Sequence, residues 1–350
     1  MTVPDKIMTW QMAQPTAFNR ETKETTPGKL EKTEIPIPDL GPGEVLVEVA
    51  GCGVCHTDLG YYYDGVPTVS KPPLTLGHEI AGTVVAGDEL WLGKEVIVPA
   101  VMPCRKCILC KTGRGNRCLD QKMPGNSLGL YGGFSSHIPV PSVDLCEVKN
   151  RGDIPLSHLA VVADAATTPY QAAKRADLQP GDNVIIVGIT GGVGQYMGQT
   201  AKALGAKTVI GIARNKEKLD RALKFGADFV INSTDKDART VSKEFRGLSK
   251  EKGLPITGWK IFEVSGSKPG QEIALTLVGF TSKLVVVGFS MAKTEYAIGR
   301  LMAFDAEIIG TWGCLPEYYP IVLDMVLSGK INIEDFVETR PMSSIVDTFA

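Results

Sequence analysis

The stretch from residue 183 to residue 226 restricts the fold of this chain more than any other. Predicted strands and helices alternate along it, with strands at 183–188 and 208–212 and helices at about 193–204 and 216–225. The strands are continuous apolar runs, which is typical of strands covered on both faces. The same pattern predicts later strands at 260–264, 284–287 and 307–309. Because strands that alternate with helices form parallel sheets, this part is predicted to be an α/β domain with a doubly wound sheet.

The first third of the chain has a different character. Short β-branched runs at 44–49, 82–85 and 95–98 are separated by residues that favour turns. This pattern is typical of an antiparallel β domain with irregular loops. A chain of 350 residues is long enough for about two domains. The change of pattern places a boundary near residue 165.

Charge and hydropathy exclude several classes of protein. The 37 Lys and Arg residues nearly balance the 39 Asp and Glu residues, and the formal charge of −2 lacks the basic excess of a nucleic-acid binder. The longest apolar runs are far shorter than the roughly 20 residues that span a bilayer. No apolar segment of a secretory signal follows Met1. We therefore expect a globular cytoplasmic protein that binds neither nucleic acid nor membrane.

Four of the eight cysteines fall in one short loop, with two, two and seven residues between them: Cys104, Cys107, Cys110 and Cys118. Four thiolates around one ion form a closed structural zinc site, which leaves no position for water or substrate. The alternative is four reduced, buried cysteines. Nearby Lys and Arg residues would offset the negative charge of a zinc tetrathiolate. The sequence therefore predicts a structural zinc lobe at 104–118.

Two further segments, 51–58 and 77–79, contain other zinc ligand types, Cys55 and His78. A catalytic zinc takes three protein ligands and keeps a fourth position open. Each segment alone is a weak signal, because Cys52 could equally be the ligand and a single histidine is more often structural.

A glycine-rich turn, Gly188-Ile-Thr-Gly191-Gly192-Val-Gly194, follows one predicted strand and opens a helix. Glycines let the backbone approach a pyrophosphate, which rests on the helix N-terminus. The next strand ends at Ala213-Arg214, without the acidic residue that binds the ribose of NAD. Arg214 fits the 2′-phosphate of NADP, yet as a surface residue it is also compatible with NAD.

Taken in order, Cys-His-Thr-Asp at 55–58, Gly-His-Glu at 77–79, the cysteine lobe and the Gly-Gly-Val-Gly turn resemble the zinc-containing medium-chain alcohol dehydrogenases. The resemblance covers nearly the whole chain. It implies a Rossmann domain at 167–309 and a discontinuous, mainly β, GroES-like catalytic domain at 1–166 and 310–350, with the active site in the cleft between them. It also implies a dimer or tetramer.

The resemblance assigns roles to individual residues. Cys55, His78 and Asp164 match the ligands of the catalytic zinc, and Glu79 matches a carboxylate behind the metal. Asp58 matches the residue that orients His78, and Thr57 matches the hydroxyl that accepts the proton of the substrate. The positions that match cofactor-binding residues are His56, Gly188, Gly191, Gly192, Val193, Gly194, Arg214, Val287 and Gly288. Two zinc ions per chain and NAD⁺ are implied, with NADP⁺ as the alternative.

Two positions depart from the family pattern. Asp164 stands where many relatives have Cys, and a carboxylate is a less soft ligand for zinc. It could bind the metal directly, through water or not at all. Gly60 stands where many relatives have the outer His of a proton relay, so the proton must leave through the ribose, water or another group. The chain also stops in a helical pattern at 345–350, and we expect a natural continuation there.

Three segments, at 51–61, 122–129 and 161–165, most resemble family members that oxidise a cyclic alcohol carrying a CoA thioester. This resemblance implies a CoA-thioester substrate and a place in anaerobic aromatic degradation. Three alternatives remain: a zinc polyol or alcohol dehydrogenase with a small substrate, a zinc-free quinone-type reductase, and a dinucleotide-binding protein without activity.

Overall fold

A computed structural model describes residues 3–19 and 21–349. The chain divides into two compact units. The first contains the residues up to Thr167, Gly313–Leu327 and the residues from Ile333 onward, and the second contains Thr168–Trp312 and Ser328–Asn332. No helix among the described residues combines the length and the apolar character needed to cross a membrane.

The strands are β1 Lys6–Gln14, β2 Ala17–Phe18, β3 Thr25–Thr26, β4 Lys29–Pro36, β5 Glu44–Gly53, β6 Leu74–Thr75, β7 Glu79–Gly87, β8 Glu95–Val98, β9 His137–Pro141, β10 Cys146–Glu147, β11 Asn183–Val187, β12 Thr208–Ala213, β13 Phe229–Asn232, β14 Lys260–Glu263, β15 Lys283–Val286 and β16 Glu307–Gly310. The α-helices are α1 His56–Tyr63, α2 Ile108–Lys111, α3 Thr167–Ala176, α4 Gly192–Ala203, α5 Lys216–Lys224, α6 Ala238–Lys252, α7 Lys268–Leu277, α8 Gly299–Phe304, α9 Tyr319–Leu327 and α10 Ile345–Phe349. Short 3₁₀ turns join them, and the longest is Leu156–Ala163.

The first unit is mainly β, as the sequence predicts. Its larger sheet has the order β10-β8-β7-β5-β9, and its neighbouring strands are antiparallel. A second sheet has the order β4-β1-β6. The inward-facing Val and Ile side chains of β5, β7, β8 and β9 form one buried cluster. The predicted runs at 44–49, 82–85 and 95–98 all lie in this sheet.

The second unit is the predicted doubly wound sheet. Its six parallel strands have the order β13-β12-β11-β14-β15-β16. Apolar side chains of α3, α4 and α5 pack on one face, and those of α6 and α7 pack on the other. The chain reverses its winding direction between β11 and β14, and a ligand crevice forms at the carboxyl ends of the strands at such a point. The glycine-rich turn follows β11 and lies at this crevice.

Residues 328–332 belong to the second unit, although the sequence analysis placed them with the catalytic domain. The reason is a side chain on α4. Gln199 donates a hydrogen bond to the carbonyl of Asn332 at 3.1 Å and accepts one from its N–H at 2.7 Å. This amide pair attaches the segment to the second unit.

Candidate functional site

The cysteine lobe brings its four sulfur atoms together. The Sγ atoms of Cys104, Cys107, Cys110 and Cys118 all lie within 4.8 Å of one another. Cys107 Sγ is 3.5 Å from Cys110 Sγ and 3.8 Å from Cys118 Sγ. Zinc–sulfur bonds of about 2.3 Å in a tetrahedron give sulfur–sulfur distances of about 3.8 Å. The donor set and its spacing therefore fit a zinc ion.

The backbone of the lobe supports negative sulfur. Cys104 Sγ accepts hydrogen bonds from the N–H groups of Lys106 and Cys107, both at 3.4 Å. Cys118 Sγ accepts two more, from Cys104 at 3.2 Å and Asp120 at 3.3 Å. Hydrogen bonds from backbone N–H groups, first that of Leu119, lower the pKa of Cys107 to about 6. Thiolates are the form that binds zinc. Backbone hydrogen bonds lower the pKa of Cys104 and Cys107 toward this form, whereas desolvation raises the pKa of Cys110 and Cys118.

A second group of donors forms where two neighbouring strands meet. β5 and β7 are antiparallel, with Gly53 opposite Glu79. This register places the residues that follow β5 beside His78, the residue before β7, and Cys55, two residues past the end of β5, reaches His78 from there. A Cβ at Gly53 would clash with the carboxylate of Glu79, which would have to move. Asp164 lies far from these residues in the sequence but joins them in space. The donor atoms of Cys55, His78, Glu79 and Asp164 all lie within 4.8 Å of one another.

A buried carboxylate lies beside His78. Asp58 lies in the first turn of α1 and is fully buried. Its Oδ2 accepts the N–H of Cys55 at 3.0 Å, and its Oδ1 accepts the N–H of Gly77 at 2.9 Å. The same Oδ1 is 3.4 Å from His78 Nδ1, and His78 Nε2 is 3.6 Å from Asp164 Oδ2. The imidazole therefore faces Asp58 with one nitrogen and the other donors with its second nitrogen, as zinc-binding histidines commonly do.

The position of Asp164 depends on a residue that the sequence analysis did not identify. Tyr319 is fully buried, and its hydroxyl donates to the carbonyl of Ala163 at 2.5 Å while it accepts the N–H of Ala100 at 3.0 Å. These bonds hold the residue before Asp164 against the end of β8. Tyr319 is far from Asp164 in sequence, and no motif marks it, so only the fold reveals this contact.

The electrostatics of this group fit a metal ion. Burial raises the pKa of the Cys55 thiol. Burial, together with the charge of Asp164, raises the pKa of Glu79 to about 8. For His78, burial acts to lower the pKa, but Asp58 and Asp164 outweigh it and raise the pKa well above the ordinary value. One thiol, one imidazole and two carboxyl groups thus share a small space, in which His78 and Glu79 are buried and Cys55 and Asp164 are partly buried. A divalent cation would relieve the crowding of their negative forms, so these residues fit a zinc ion.

Thr57 and His56 lie on the same helix as Asp58. Thr57 Oγ1 is 3.7 Å from Cys55 Sγ and is half-buried, so its hydroxyl lies beside the donor group. His56 is the first residue of α1 and is exposed. Gly60 is buried, and a Cβ there would meet only Val66 and Asp64 at 3.5 and 4.0 Å. The helix therefore carries the predicted proton acceptor beside the donors and no relay side chain at residue 60.

The glycine turn of the second unit allows other backbone atoms to approach it closely. Gly188 has a φ of +95°, and a Cβ there would lie 2.7 Å from the nitrogen of Ser265. Gly194 packs so closely on the turn that a Cβ would clash with the carbonyl of Gly188. By contrast, a Cβ at Gly192 would meet no atom within 4 Å. Gly192, Val193 and Gly194 start α4, where unpaired N–H groups favour an anion such as a pyrophosphate.

Three other predicted cofactor residues lie at the carboxyl ends of β12 and β15, on either side of β11 and β14 in the sheet. Arg214 follows β12 and is exposed, and Asn215 caps α5 by accepting the N–H of Lys218 at 2.9 Å. Val287 and Gly288 follow β15, and both donate their N–H groups to the carbonyl of Glu263 at 2.9 Å.

Comparisons with known proteins agree with this arrangement. Two family models match the chain, the alcohol dehydrogenase GroES-like domain over residues 41–150 and the zinc-binding dehydrogenase over residues 192–328. The sorbitol dehydrogenase of Bacillus subtilis (strain 168) is 30% identical over 318 residues, which are 87% of this chain and 84% of that protein.

Two further relatives extend the comparison. The NAD-dependent alcohol dehydrogenase of Sulfolobus acidocaldarius is 30% identical over 310 residues, 85% of this chain and 86% of that protein. The structure of galactitol-1-phosphate dehydrogenase from Escherichia coli has a TM-score of 0.82 and 25% identity, and the match covers 98% of this chain and 95% of that one. The chain belongs to the zinc-containing medium-chain alcohol dehydrogenase family, and it is an oxidoreductase that acts on CH–OH groups.

Proposed function

We propose that this protein oxidises a secondary alcohol with zinc at Cys55, His78 and Asp164 and transfers hydride to NAD⁺ or NADP⁺. The observation that carries the proposal is the convergence of the donor atoms of these three residues and Glu79 within 4.8 Å. A protein of the same fold that binds no metal at this site would not need a thiol, an imidazole and two carboxyl groups so close together. This observation argues against the zinc-free reductase.

The ligands would divide the work as follows. Cys55, His78 and Asp164 hold the metal, and Glu79 lies beside them as an additional carboxylate. When bound, zinc supplies a Lewis acid that lowers the pKa of an alcohol. Two backbone hydrogen bonds fix Asp58, and its Oδ1 would orient the imidazole of His78 from 3.4 Å away.

Thr57 would take the proton of the substrate. Its hydroxyl lies 3.7 Å from Cys55 Sγ, next to the donor group. With glycine at residue 60, α1 offers no imidazole to carry this proton outward. The route beyond Thr57 therefore runs through the cofactor ribose, water or another group.

The glycine turn at 188–194 would bind the pyrophosphate of the cofactor, with His56, Val287 and Gly288 as further contacts. Arg214 would lie beside the adenosine ribose. Its guanidinium suits a 2′-phosphate, whereas the relative from Sulfolobus acidocaldarius is named NAD-dependent. Both cofactors are therefore candidates.

The cysteine lobe would hold the second zinc. Four thiolates leave no open position on the ion, so this metal serves stability rather than chemistry.

For the substrate we propose 6-hydroxycyclohex-1-ene-1-carbonyl-CoA, oxidised to the 6-oxo enone. The support is the resemblance of the segments at 51–61, 122–129 and 161–165 to the dehydrogenase of that compound. A small polyol is the second candidate, because the relative from Bacillus subtilis is a sorbitol dehydrogenase. A CoA thioester is much larger and carries phosphates, so the two candidates differ strongly in what the active site must admit.

The test is a steady-state assay of the purified protein with NAD⁺ and NADP⁺ in parallel. The cyclic CoA ester, sorbitol and a simple secondary alcohol are offered to each cofactor. Reduction of a nicotinamide with the CoA ester at a kcat/KM far above that with sorbitol supports the first candidate. The reverse order supports the second, and no reduction with any alcohol rejects the proposed activity.

A further inference from the structure

A buried carboxyl group lies beneath the carboxyl end of the parallel sheet. Glu263 is the last residue of β14 and is 1% exposed. It stands between Val187, the last residue of β11, and Val286, the last residue of β15. The strand ends on either side of Glu263 therefore lead into the glycine turn and the Val287–Gly288 turn.

One oxygen of this carboxyl group organises the following turn. Glu263 Oε1 accepts the N–H of Ser265 at 2.9 Å and also the hydroxyl of the same serine. The Ser265 hydroxyl oxygen accepts the N–H of Ser267 at 3.2 Å, and Ser267 caps α7 by accepting the N–H of Gly270. The carboxyl group thus fixes the path of the chain from β14 into α7.

This turn is wedged between the two predicted cofactor segments. On one side, a Cβ at Gly188 would lie 2.7 Å from the nitrogen of Ser265. On the other side, the nitrogen of Gly266 leaves no space for a Cβ at Gly288. A small shift of the 265–267 turn would therefore displace backbone on both sides of it.

The second oxygen of the carboxyl group is unusual. Glu263 Oε2 is buried and has no hydrogen-bond partner among the described residues. It faces Gly288, where a Cβ would lie 3.0 Å from it. Burial raises the pKa of Glu263, and the hydrogen bonds from Ser265 offset this only in part. A buried polar atom without a partner is costly, so a role in packing alone does not explain a carboxyl group here.

We propose that Glu263 is a positioning residue for the nicotinamide cofactor, because its carboxyl group sets the 265–267 turn that separates Gly188 from Gly288. This inference rests on the proposed function, since it assumes that the two glycine segments bind NAD⁺ or NADP⁺. Glu263 acts through Ser265 and is not placed in contact with the cofactor.

The test compares three variants with a matched control. Glu263→Ala removes the carboxyl group, Glu263→Gln keeps its shape and one acceptor, and Ser265→Ala removes the hydroxyl. The control is Ser282→Ala, which removes a buried hydroxyl that accepts the N–H of Gly279 at 3.2 Å just before the start of β15, at the opposite end of the sheet. Each zinc-loaded protein is titrated with NADH and NADPH by fluorescence, and kcat, KM and Tm are measured beside the dissociation constants.

We expect Glu263→Ala to weaken binding of the reduced cofactor by about 10- to 100-fold, the range seen when a group that orients ligands is lost. Ser265→Ala loses the hydrogen bonds that the hydroxyl makes with Glu263 and with the N–H of Ser267, and we expect the affinity to fall by about tenfold. Glu263→Gln keeps the acceptor and should stay within about threefold, and Ser282→Ala should lower Tm with affinity unchanged within about twofold.

Two results would overturn the inference. One is cofactor affinity in Ser265→Ala and in folded Glu263→Ala equal to that of the control. The other is an equal loss of affinity in Ser282→Ala, which would mean that general destabilisation is the cause. If Glu263→Ala does not fold, Ser265→Ala decides alone. A wild-type protein that binds neither NADH nor NADPH would instead reject the proposed function, and the inference with it.

Discussion

The two candidate metal sites of the first unit each gather four donor residues, but they are assembled in opposite ways. In the cysteine lobe, all four sulfurs come from one short loop, 104–118, and backbone N–H groups of the same loop support them. In the open group, Cys55, His78 and Asp164 come from three separate segments. Their meeting depends on the β5–β7 register and on the Tyr319 contact.

This difference explains what each site can do. A loop that supplies four thiolates closes around its ion, so its effect is confined to local stability. Donors that come from a sheet, a helix cap and a 3₁₀ turn can be of different chemical types. They also leave a position on the metal open for a substrate. The open group also depends on distant contacts that the lobe does not need. The predictions below test this contrast, beginning with the largest effect.

Replacing Cys55 by Ala should reduce kcat/KM by about 1000-fold or more, because a metal that polarises the reacting oxygen contributes several kcal/mol. Zinc content should fall from two ions per chain to one, since the lobe is untouched. The matched control is Cys52→Ala, which changes a half-buried cysteine near the end of β5 that lies outside the donor group. Loss of the second zinc in Cys52→Ala rather than Cys55→Ala would reassign the ligand.

Replacing Cys107 by Ser should have the opposite effect, because it should lower stability and leave activity nearly unchanged. The lobe loses its ion, and Tm falls by several degrees because the binding free energy of a structural metal stabilises the fold. The activity of the folded protein should stay within about threefold, since this ion has no open position. Cys146→Ala, which changes a buried cysteine outside both groups, serves as the control. A fall in kcat as large as that in Cys55→Ala would show that the lobe takes part in the chemistry.

Asp58→Asn should weaken metal binding at the open group alone, by about 10- to 100-fold, because the amide orients His78 less well than the carboxylate. Zinc retention is measured against a graded series of chelator concentrations. The control is Asp144→Asn, another buried carboxyl of the first unit, whose partner is Arg105 in the lobe. An unchanged zinc affinity in Asp58→Asn would remove Asp58 from the site.

The smallest effect concerns the support of the segment before Asp164. Arg151 donates two hydrogen bonds to the carboxylate of Glu95 on β8, at 2.8 and 3.0 Å, and a third to the carbonyl of Ile154 at 2.7 Å. Arg151→Ala should lower the free energy of unfolding only slightly, since both partners are partly exposed. Urea unfolding of the two proteins measures this difference.

The stability that Arg151 contributes depends on pH. The sign follows from the hydrogen bonds of Arg151, which lower the pKa of Glu95. The contribution is therefore complete above the ordinary glutamate pKa of about 4.3 and is lost as pH falls through the lowered value. Lys149→Ala, which breaks an exposed pair with Glu147, provides the comparison. A difference between wild type and Arg151→Ala that grows toward acid pH would contradict this account.

The sequence was most informative where the signal is local. Continuous apolar runs predict β11, β12, β14, β15 and β16, because a strand buried on both faces needs apolar side chains at every position. The glycine turn was visible for a similar reason, since a φ of +95° at residue 188 favours glycine. The spacing of the four lobe cysteines likewise needs no knowledge of the fold.

The sequence was silent where the contact is long-range and involves a single side chain. Tyr319 contacts Ala163 and Gln199 contacts Asn332, and neither pair has a periodic pattern or a motif. For the open group, the residues alone offered only Cys55 or Cys52 with His78. Asp164 came from resemblance, and the β5–β7 register supplies the physical reason why Cys55 and His78 meet.

The most direct test of the two-site account is the zinc content of the purified protein, measured by plasma mass spectrometry after dialysis against metal-free buffer. We predict two zinc ions per chain, one in the cysteine lobe and one at Cys55, His78 and Asp164. A single zinc ion per chain, in a protein that still reduces NAD⁺ or NADP⁺ with an alcohol, would contradict the account.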